Sequence, residues 1–488
     1  MRHNEFLKKS YTTILSAISI LLVIGGVIMA VPLIILPAFP EESKLALHFL
    51  LPAIGMIATG VCLHKKFKPD TINLGIQDGG IVVVLGWIII IILSALPLMT
   101  IEKLSFSLAV FESVSGWTTT GLSVVNVEKA SNIILFWRSL IQLAGGAGLA
   151  IIMMSALVGP AGTSISSAEG RSDQLVPHVK SSARLVLVIY SCYALLGTLA
   201  YRLAGMTWFD AVNHAFAAVS TGGFSTRTTS IGYWESSTIE IISIILMIFG
   251  NLSFVTAWLL FRGDFKSVTR NGEVRLMALV LPVSLLMTFF FTCQTLYPTF
   301  AKSLRVATFE TVSALTTTGF STVSYSNWNA PGIFILILLM LIGGGTCSTA
   351  GGIKQLRIYI ACCSIYWEIR RQIMPKTAII HFPIQDGQWE SALSDSRLRQ
   401  IAVFIFIYLA TYCIGVLALC ANGFSLPDSL FEFASALGTV GISVGVTSAA
   451  MPGVALWAET LAMFLGRLEF LVVFVSLHKL IKDFFARD

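Results

Sequence analysis

Charge is what this sequence has least of. Asp, Glu, Lys and Arg make up 12% of its 488 residues, where an ordinary soluble domain carries about 25%. A soluble fold of this length could not cover itself with so few charges. Disorder is excluded too, because it needs low hydrophobicity and high net charge, and 55% of the chain is hydrophobic. Paired cysteine spacing is missing. The eight cysteines show no CxxC, so neither a disulfide framework nor a zinc site is implied. Also missing are a Walker A sequence, a phosphorylated-Asp signature and a dinucleotide fingerprint after a strand. No organic cofactor is therefore expected on this chain, and no enzyme chemistry. The net charge of +6 has no soluble basic face on which to bind nucleic acid.

What the chain does have is long apolar runs, 32 Phe and 39 Gly, with a mean hydropathy of +0.82. It reads as an all-α polytopic membrane protein whose partner is the lipid bilayer. The first run, 11–37, is far longer than the apolar region of a signal peptide and reads as a retained helix. At about 20 residues per crossing, further spans are expected near 45–63, 80–98, 132–158, 185–204, 239–261, 277–297, 332–362, 400–421 and 453–480. With a cytoplasmic N-terminus, inside segments hold 22 of the 32 Lys and Arg and outside segments eight. That imbalance satisfies the positive-inside rule and puts both termini in the cytoplasm. The other two, Lys354 and Arg467, fall inside apolar runs.

Four stretches between spans are too short and apolar for ordinary external loops, and they align without gaps. They read FESVSGWTTTGLS (111–123), NHAFAAVSTGGFS (213–225), FETVSALTTTGFS (309–321) and FEFASALGTVGIS (431–443). Each carries a glycine, at Gly121, Gly223, Gly319 and Gly441. Nine residues earlier stand Glu112, His214, Glu310 and Glu432, expected near the start of a short helix, where the N-terminal dipole favours acids. The unit is helix, re-entrant segment, helix, four times over.

Non-helical backbone at membrane depth survives only where it is buried in protein or lines a wet cavity. A short helix ending mid-membrane aims its C-terminal carbonyl dipoles at a cation, and glycine permits the φ > 0 geometry that turns carbonyls inward. Four such copies form a ring able to replace a cation's hydration shell. The filter candidates are Thr119, Thr120, Gly121, Thr221, Gly222, Gly223, Thr317, Thr318, Gly319, Thr439, Val440 and Gly441. Thr439-Val440-Gly441 has the TVG order of potassium-channel filters, without the Tyr-Gly that follows it there. A single Ser/Thr/Gly cluster between transmembrane helices is most often a packing surface; four aligned copies in one context argue against that.

With these motifs the chain resembles the Trk/Ktr/HKT superfamily of potassium transporters, and specifically the TrkH membrane subunit. The repeats cover about 79–482, two extra N-terminal spans are similar to those of the Trk branch, and Gly466-Arg467-Leu468-Glu469 resembles the Trk form of the last helix. The resemblance implies a pseudo-fourfold pore in one polypeptide, paired as a homodimer in the plasma membrane (the bacterial inner membrane), with K⁺ as the transported ion held by the filter's backbone carbonyls. It also implies a cytosolic ring of nucleotide-binding RCK-type subunits. Glycine at all four filter positions goes with potassium selectivity in this family. Repeats two and four depart from Thr-Thr-Gly, so the ring is chemically unequal. The expected divisions are 1–78 for the N-terminal pair and 79–184, 185–276, 277–399 and 400–488 for the repeats. The alternative is an ion-coupled secondary transporter of another small solute or Na⁺, an architecture that favours inverted repeats and intramembrane acids.

After the third filter the apolar run is interrupted by Gly343, Gly344, Gly345, Thr346, Cys347, Ser348, Thr349, Ala350, Gly351 and Gly352. Five glycines in ten residues break a helix, each costing about 1 kcal/mol against Ala. The equivalent places elsewhere, Gly145-Gly146, Gly250-Asn251 and Gly466-Arg467, are milder. The run lacks the order of a phosphate loop, and it reads as an intramembrane loop blocking permeation beneath the filter. Lys354 and Arg467 belong to this gate, since a cation at mid-membrane costs at least about 2.5–3.5 kcal/mol and needs a cavity or a partner. For Lys354 the alternative is snorkelling to the cytoplasmic side. Glu469, on a different helix face, is a poor partner for Arg467. The basic segments 262–275 and 364–399 are either docking surfaces for the cytosolic ring or ordinary positive-inside charge.

Overall fold

Apolar runs in a bilayer must satisfy their own backbone groups, which leaves helices as the spanning element here. The computed structural model describes residues 2–67, 76–148, 179–375, 383–386, 389–392 and 395–485. Two N-terminal helices, Arg2–Ala30 and Ala46–Lys66, pack along each other. Between them Pro32, Pro37 and Pro40 remove backbone donors, and the chain tightens into 3₁₀ turns over Val31–Ala38 and Pro40–Leu45. Close approach of the pair rests on small residues. A Cβ on Gly60 would lie 2.7 Å from the Ser19 carbonyl oxygen.

Four repeats of outer helix, pore helix and inner helix follow, in pseudo-fourfold arrangement. The outer helices are Ile76–Ser94, Val179–Leu203, Gly272–Thr288 and Asp395–Ala421. The pore helices are Phe106–Trp117, Trp208–Val219, Phe300–Leu315 and Leu426–Leu437. The inner helices are Asn132–Ala147, Ser237–Asn251, Ala330–Ile342 and Gly453–Leu468. Pore helices begin at hydroxyl residues, the favoured N-caps. Thr207 accepts from the Asp210 N–H at 3.0 Å, Thr299 from Lys302 at 3.3 Å and Ser425 from Asp428 at 3.3 Å. Glu42 of the N-terminal pair accepts from the Asn132 and Ile133 N–H groups at 2.7 and 2.8 Å, and so ties that pair to the first inner helix.

The expectation of ten spans needs correcting. Among the described residues six helices are long and apolar enough to cross a membrane, or eight if two bent pairs each count as one. The run 239–261 bends by 113° between Ser237–Asn251 and Phe254–Phe261, and 453–480 bends by 100° between Gly453–Leu468 and Phe470–Phe485. Ser253 caps the new helix in the first bend, and Glu469 adopts φ +61° in the second. The run 332–362 is broken between Ile342 and Gln355. The span 132–158 ends as helix at Ala147, and its residues 149–158 lie outside the described ones. Within 364–399, a helix reaching Ile373 is followed by an unanticipated antiparallel hairpin, Pro383–Asp386 against Trp389–Ala392; residues 376–382, 387–388 and 393–394 lie outside the described ones.

Candidate functional site

Each pore helix ends in the same turn. In the first, the Thr119 N–H donates to the Gly116 carbonyl at 3.1 Å and the Thr120 N–H to Ser115 at 2.9 Å. Equivalent bonds run from Thr221 and Gly222, from Thr317 and Thr318, and from Thr439 and Val440. This is a Schellman turn, which places the residue after the cap in left-handed conformation and normally uses glycine there. Here that residue is threonine in every copy, with φ of +56°, +50°, +53° and +50° at Thr119, Thr221, Thr317 and Thr439. A β-branched residue in this region is strained, at about 1–3 kcal/mol each.

Two residues further on, Gly121, Gly223, Gly319 and Gly441 have φ of +98°, +72°, +80° and +93°. Space, as well as φ, demands glycine. A Cβ on Gly121 would meet the Gly222 carbonyl oxygen at 2.2 Å, one on Gly223 the Thr318 oxygen at 2.1 Å, one on Gly319 the Val440 oxygen at 1.9 Å, and one on Gly441 the Thr120 oxygen at 2.1 Å. Each repeat therefore lies against the middle carbonyl of the next, and the fourth returns to the first. The twelve predicted residues form a closed ring. Outside it opens a mouth of about 740 Å³, lined by all four glycines and by Ser123, Ser225, Ser321 and Ser443.

On the other side of the ring sits the glycine-rich loop. Its ends cross where Gly343 (φ +71°) and Gly352 (φ +78°) touch; a Cβ on Gly343 would lie 2.6 Å from the Gly352 Cα. The segment Thr349–Gly351 packs against the strained threonines. The Thr119 hydroxyl donates to the Thr349 carbonyl at 3.4 Å, the Thr221 hydroxyl to the Thr349 hydroxyl at 3.0 Å, and the Gly351 N–H to the Thr317 hydroxyl at 2.8 Å. A Cβ on Gly351 would meet the Thr439 hydroxyl at 2.0 Å. Arg467 donates to the Thr349 carbonyl at 2.6 Å and to the Gly145 carbonyl at 2.6 Å, so its guanidinium bridges loop and first inner helix. Lys354 turns back, and its ammonium donates to the Ala350 carbonyl. Beside the loop, Gly352, Lys354 and Arg467 line a cavity of only about 30 Å³, space for no more than a few waters.

The family model described as "TrkH: Cation transport protein" matches residues 48–486. The chain belongs to the TrkH family. A cation transporter of Methanocaldococcus jannaschii described as uncharacterised is 32% identical over 474 residues, covering 96% of this chain and 95% of that one. The Trk system potassium uptake protein TrkH of Halomonas elongata is 29% identical, with 96% and 98% covered. The crystal structure of the potassium transporter TrkH from Vibrio parahaemolyticus superposes with a TM-score of 0.85 at 26% identity, over 96% of this chain and 98% of that one.

Several residues of this TrkH-family site were not foreseen from its sequence. Glu112, Glu310 and Glu432 were expected at helix starts, yet Glu112 and Glu432 are the seventh residues of their helices and Glu310 the eleventh. All three are fully buried. Their carboxylates accept from the segment that leaves the ring: Glu112 from the Val124 N–H at 2.8 Å, Glu310 from Thr322 at 2.9 Å and Glu432 from Val444 at 3.0 Å. They clamp that segment. His214 serves the same end through Ser225 at 2.8 Å. Arg138 is 2% exposed and paired with Glu112 at 2.7 Å. Ser115 and Ser435 accept from the Gly121 and Gly441 N–H groups at 3.0 Å. Repeat two has Ala217 at that place, and Gln142 substitutes for the serine by donating to the Gly222 carbonyl at 2.6 Å and accepting from the Phe224 N–H at 3.1 Å. A Cβ on Gly222 would strike Gln142 at 2.4 Å, which explains why this repeat departs from Thr-Thr-Gly. Gly145, Gly250 and Gly466 are contact glycines, against the carbonyl oxygens of Trp117, Val219 and Leu437.

Proposed function

We propose that this protein takes up potassium across the plasma membrane through a channel-like pore, with the four-repeat carbonyl ring as its selectivity filter. The observation that carries the reading is the closed cycle of glycine–carbonyl contacts, which leaves the ring's radius no freedom to shrink at one repeat alone. A cation passing it exchanges hydration oxygens for fixed backbone oxygens. The segment 343–352, with Lys354 and Arg467, is the gate: it abuts the inner threonines of the ring, and the guanidinium adds a positive barrier.

The Trk potassium uptake relatives support potassium as the ion, and membership of a Trk-type system supports a regulatory partner. That partner is a cytosolic ring of RCK-type nucleotide-binding subunits, acting on a homodimer whose chains have both termini in the cytoplasm and divide at residues 78, 184, 276 and 399. The deciding experiment is flux in proteoliposomes with K⁺, Rb⁺, Na⁺ and Li⁺, with and without the cytosolic partner. Uptake ordered K⁺ and Rb⁺ above Na⁺ and Li⁺ is expected; equal uptake of all four, or uptake only when an organic solute is present, defeats the reading.

A further inference from the structure

The loop has two flanks, and they are held by different parts of the molecule. Thr349 and Gly351 are bonded to the ring and to Arg467, as described. Residues 345–347 are instead bonded to the connection between the second inner helix and the third outer helix. The Gly345 N–H donates to the Asn251 carbonyl at 3.2 Å, and the Phe254 N–H donates to the Cys347 carbonyl at 3.4 Å. The shortest bond of this group runs from the Thr346 N–H to Glu273 Oε1, at 2.6 Å. Glu273 is buried at 6% exposure, and a carboxylate accepting from a backbone N–H in such a place makes a charge-assisted bond.

Glu273 is itself rigidly placed. It stands in the first turn of Gly272–Thr288, and its N–H donates to the Asn271 side chain at 2.8 Å. Asn271 also donates to the Thr256 hydroxyl at 3.2 Å, which joins the carboxylate to Phe254–Phe261. The same connection carries Arg262, Lys266, Arg270 and Arg275, all exposed. One short piece of chain thus presents four cations outward and one carboxylate inward to the loop.

We infer that Glu273 is the latch through which the basic connection 262–275 holds the loop closed. It is a positioning residue, acting on the ion path through Thr346. This rests on the reading of the loop as the gate. A cytosolic partner that shifts the connection withdraws the carboxylate from Thr346 and frees the loop's outer flank, while the ring keeps its own clamps.

The test is Rb⁺ uptake by the full-length protein in proteoliposomes without partner. Glu273→Ala is expected to raise basal uptake about tenfold, the effect of losing one charge-assisted bond. Glu273→Gln, which keeps an acceptor for the Thr346 N–H, should recover most of the closure. Glu273→Leu repeats the removal with the volume filled, should the Ala chain fail to fold. In a chain whose other cysteines are serine, Cys347 should react faster with a small maleimide when Glu273 is Ala or Leu. Wild-type uptake and unchanged Cys347 labelling in the removal variants overturn the latch, and so does a Gln variant as leaky as Ala. Arg467→Ala and a chain shortened within 345–351, run in parallel, separate the two readings. If they leak and Glu273→Ala does not, the latch fails and the gate stands. If none leaks, the gate reading fails first.

Discussion

Threonine is a poor choice for a left-handed turn, and four copies of the poor choice need a reason that packing does not supply. Glycine would relieve the strain at Thr119, Thr221, Thr317 and Thr439, but it would remove the three hydroxyls that bond the loop, those of Thr119, Thr221 and Thr317, and the Thr439 side chain that packs against Gly351. Glycine two residues later is the opposite case, because any side chain there enters the neighbouring carbonyl. Gly121→Ser and Gly319→Ser should each lower the Rb⁺/Na⁺ uptake ratio about tenfold, equivalent to roughly 1.4 kcal/mol of discrimination. An unchanged ratio in reconstituted flux would remove the ring from its assigned role. Gln142→Leu leaves the Gly222 carbonyl and the Phe224 N–H without their amide partner, at a cost of about 1–3 kcal/mol. A lower melting temperature in detergent is expected, with a loss of selectivity. The ring glycines were legible in the sequence because they repeat at one offset. Gln142 was not, because it acts across repeats, at a separation of 80 residues, and belongs to no copy of the pattern.

At the scale of the element, hydropathy gave the apolar runs and little about their direction. A run through Asn251 or Glu469 is equally apolar whether the helix continues or turns by about a right angle, so both bends were invisible. The break at 343–354 was visible, because glycine acts on the backbone itself and leaves a compositional trace. Glu469 pairs across the loop: its carboxylate accepts from Arg357 at 2.8 Å, on the helix that follows the loop. Arg467→Ala should raise basal Rb⁺ uptake, and Arg467→Lys should give an intermediate leak, since an ammonium keeps the charge but loses the fork that reaches both Thr349 and Gly145. Wild-type flux in both variants would displace the barrier from this residue. Glu42→Ala uncaps the first inner helix and should lower stability by about 1–2 kcal/mol, read as an earlier thermal transition with selectivity unaltered.

For the molecule as a whole, the ring couples the repeats by construction. Opening it at one contact relaxes its neighbours, so Gly121→Ser combined with Gly319→Ser should lose much less selectivity than the product of the single losses. Full multiplication of the two effects, measured by the same uptake ratios, would mean that the repeats act independently. The chain's linear order has a further consequence. Thr349–Gly351 occupies ground against which the threonines of all four repeats converge, and there is room there for one such loop. Four identical subunits would each bring a copy, and at least three would have no place to go. Carrying the repeats in tandem on one polypeptide lets three inner helices keep contact glycines while the segment after the third alone lies under the ring. Tandem repeats in one chain permit an asymmetry beneath the ring that four identical subunits would forbid.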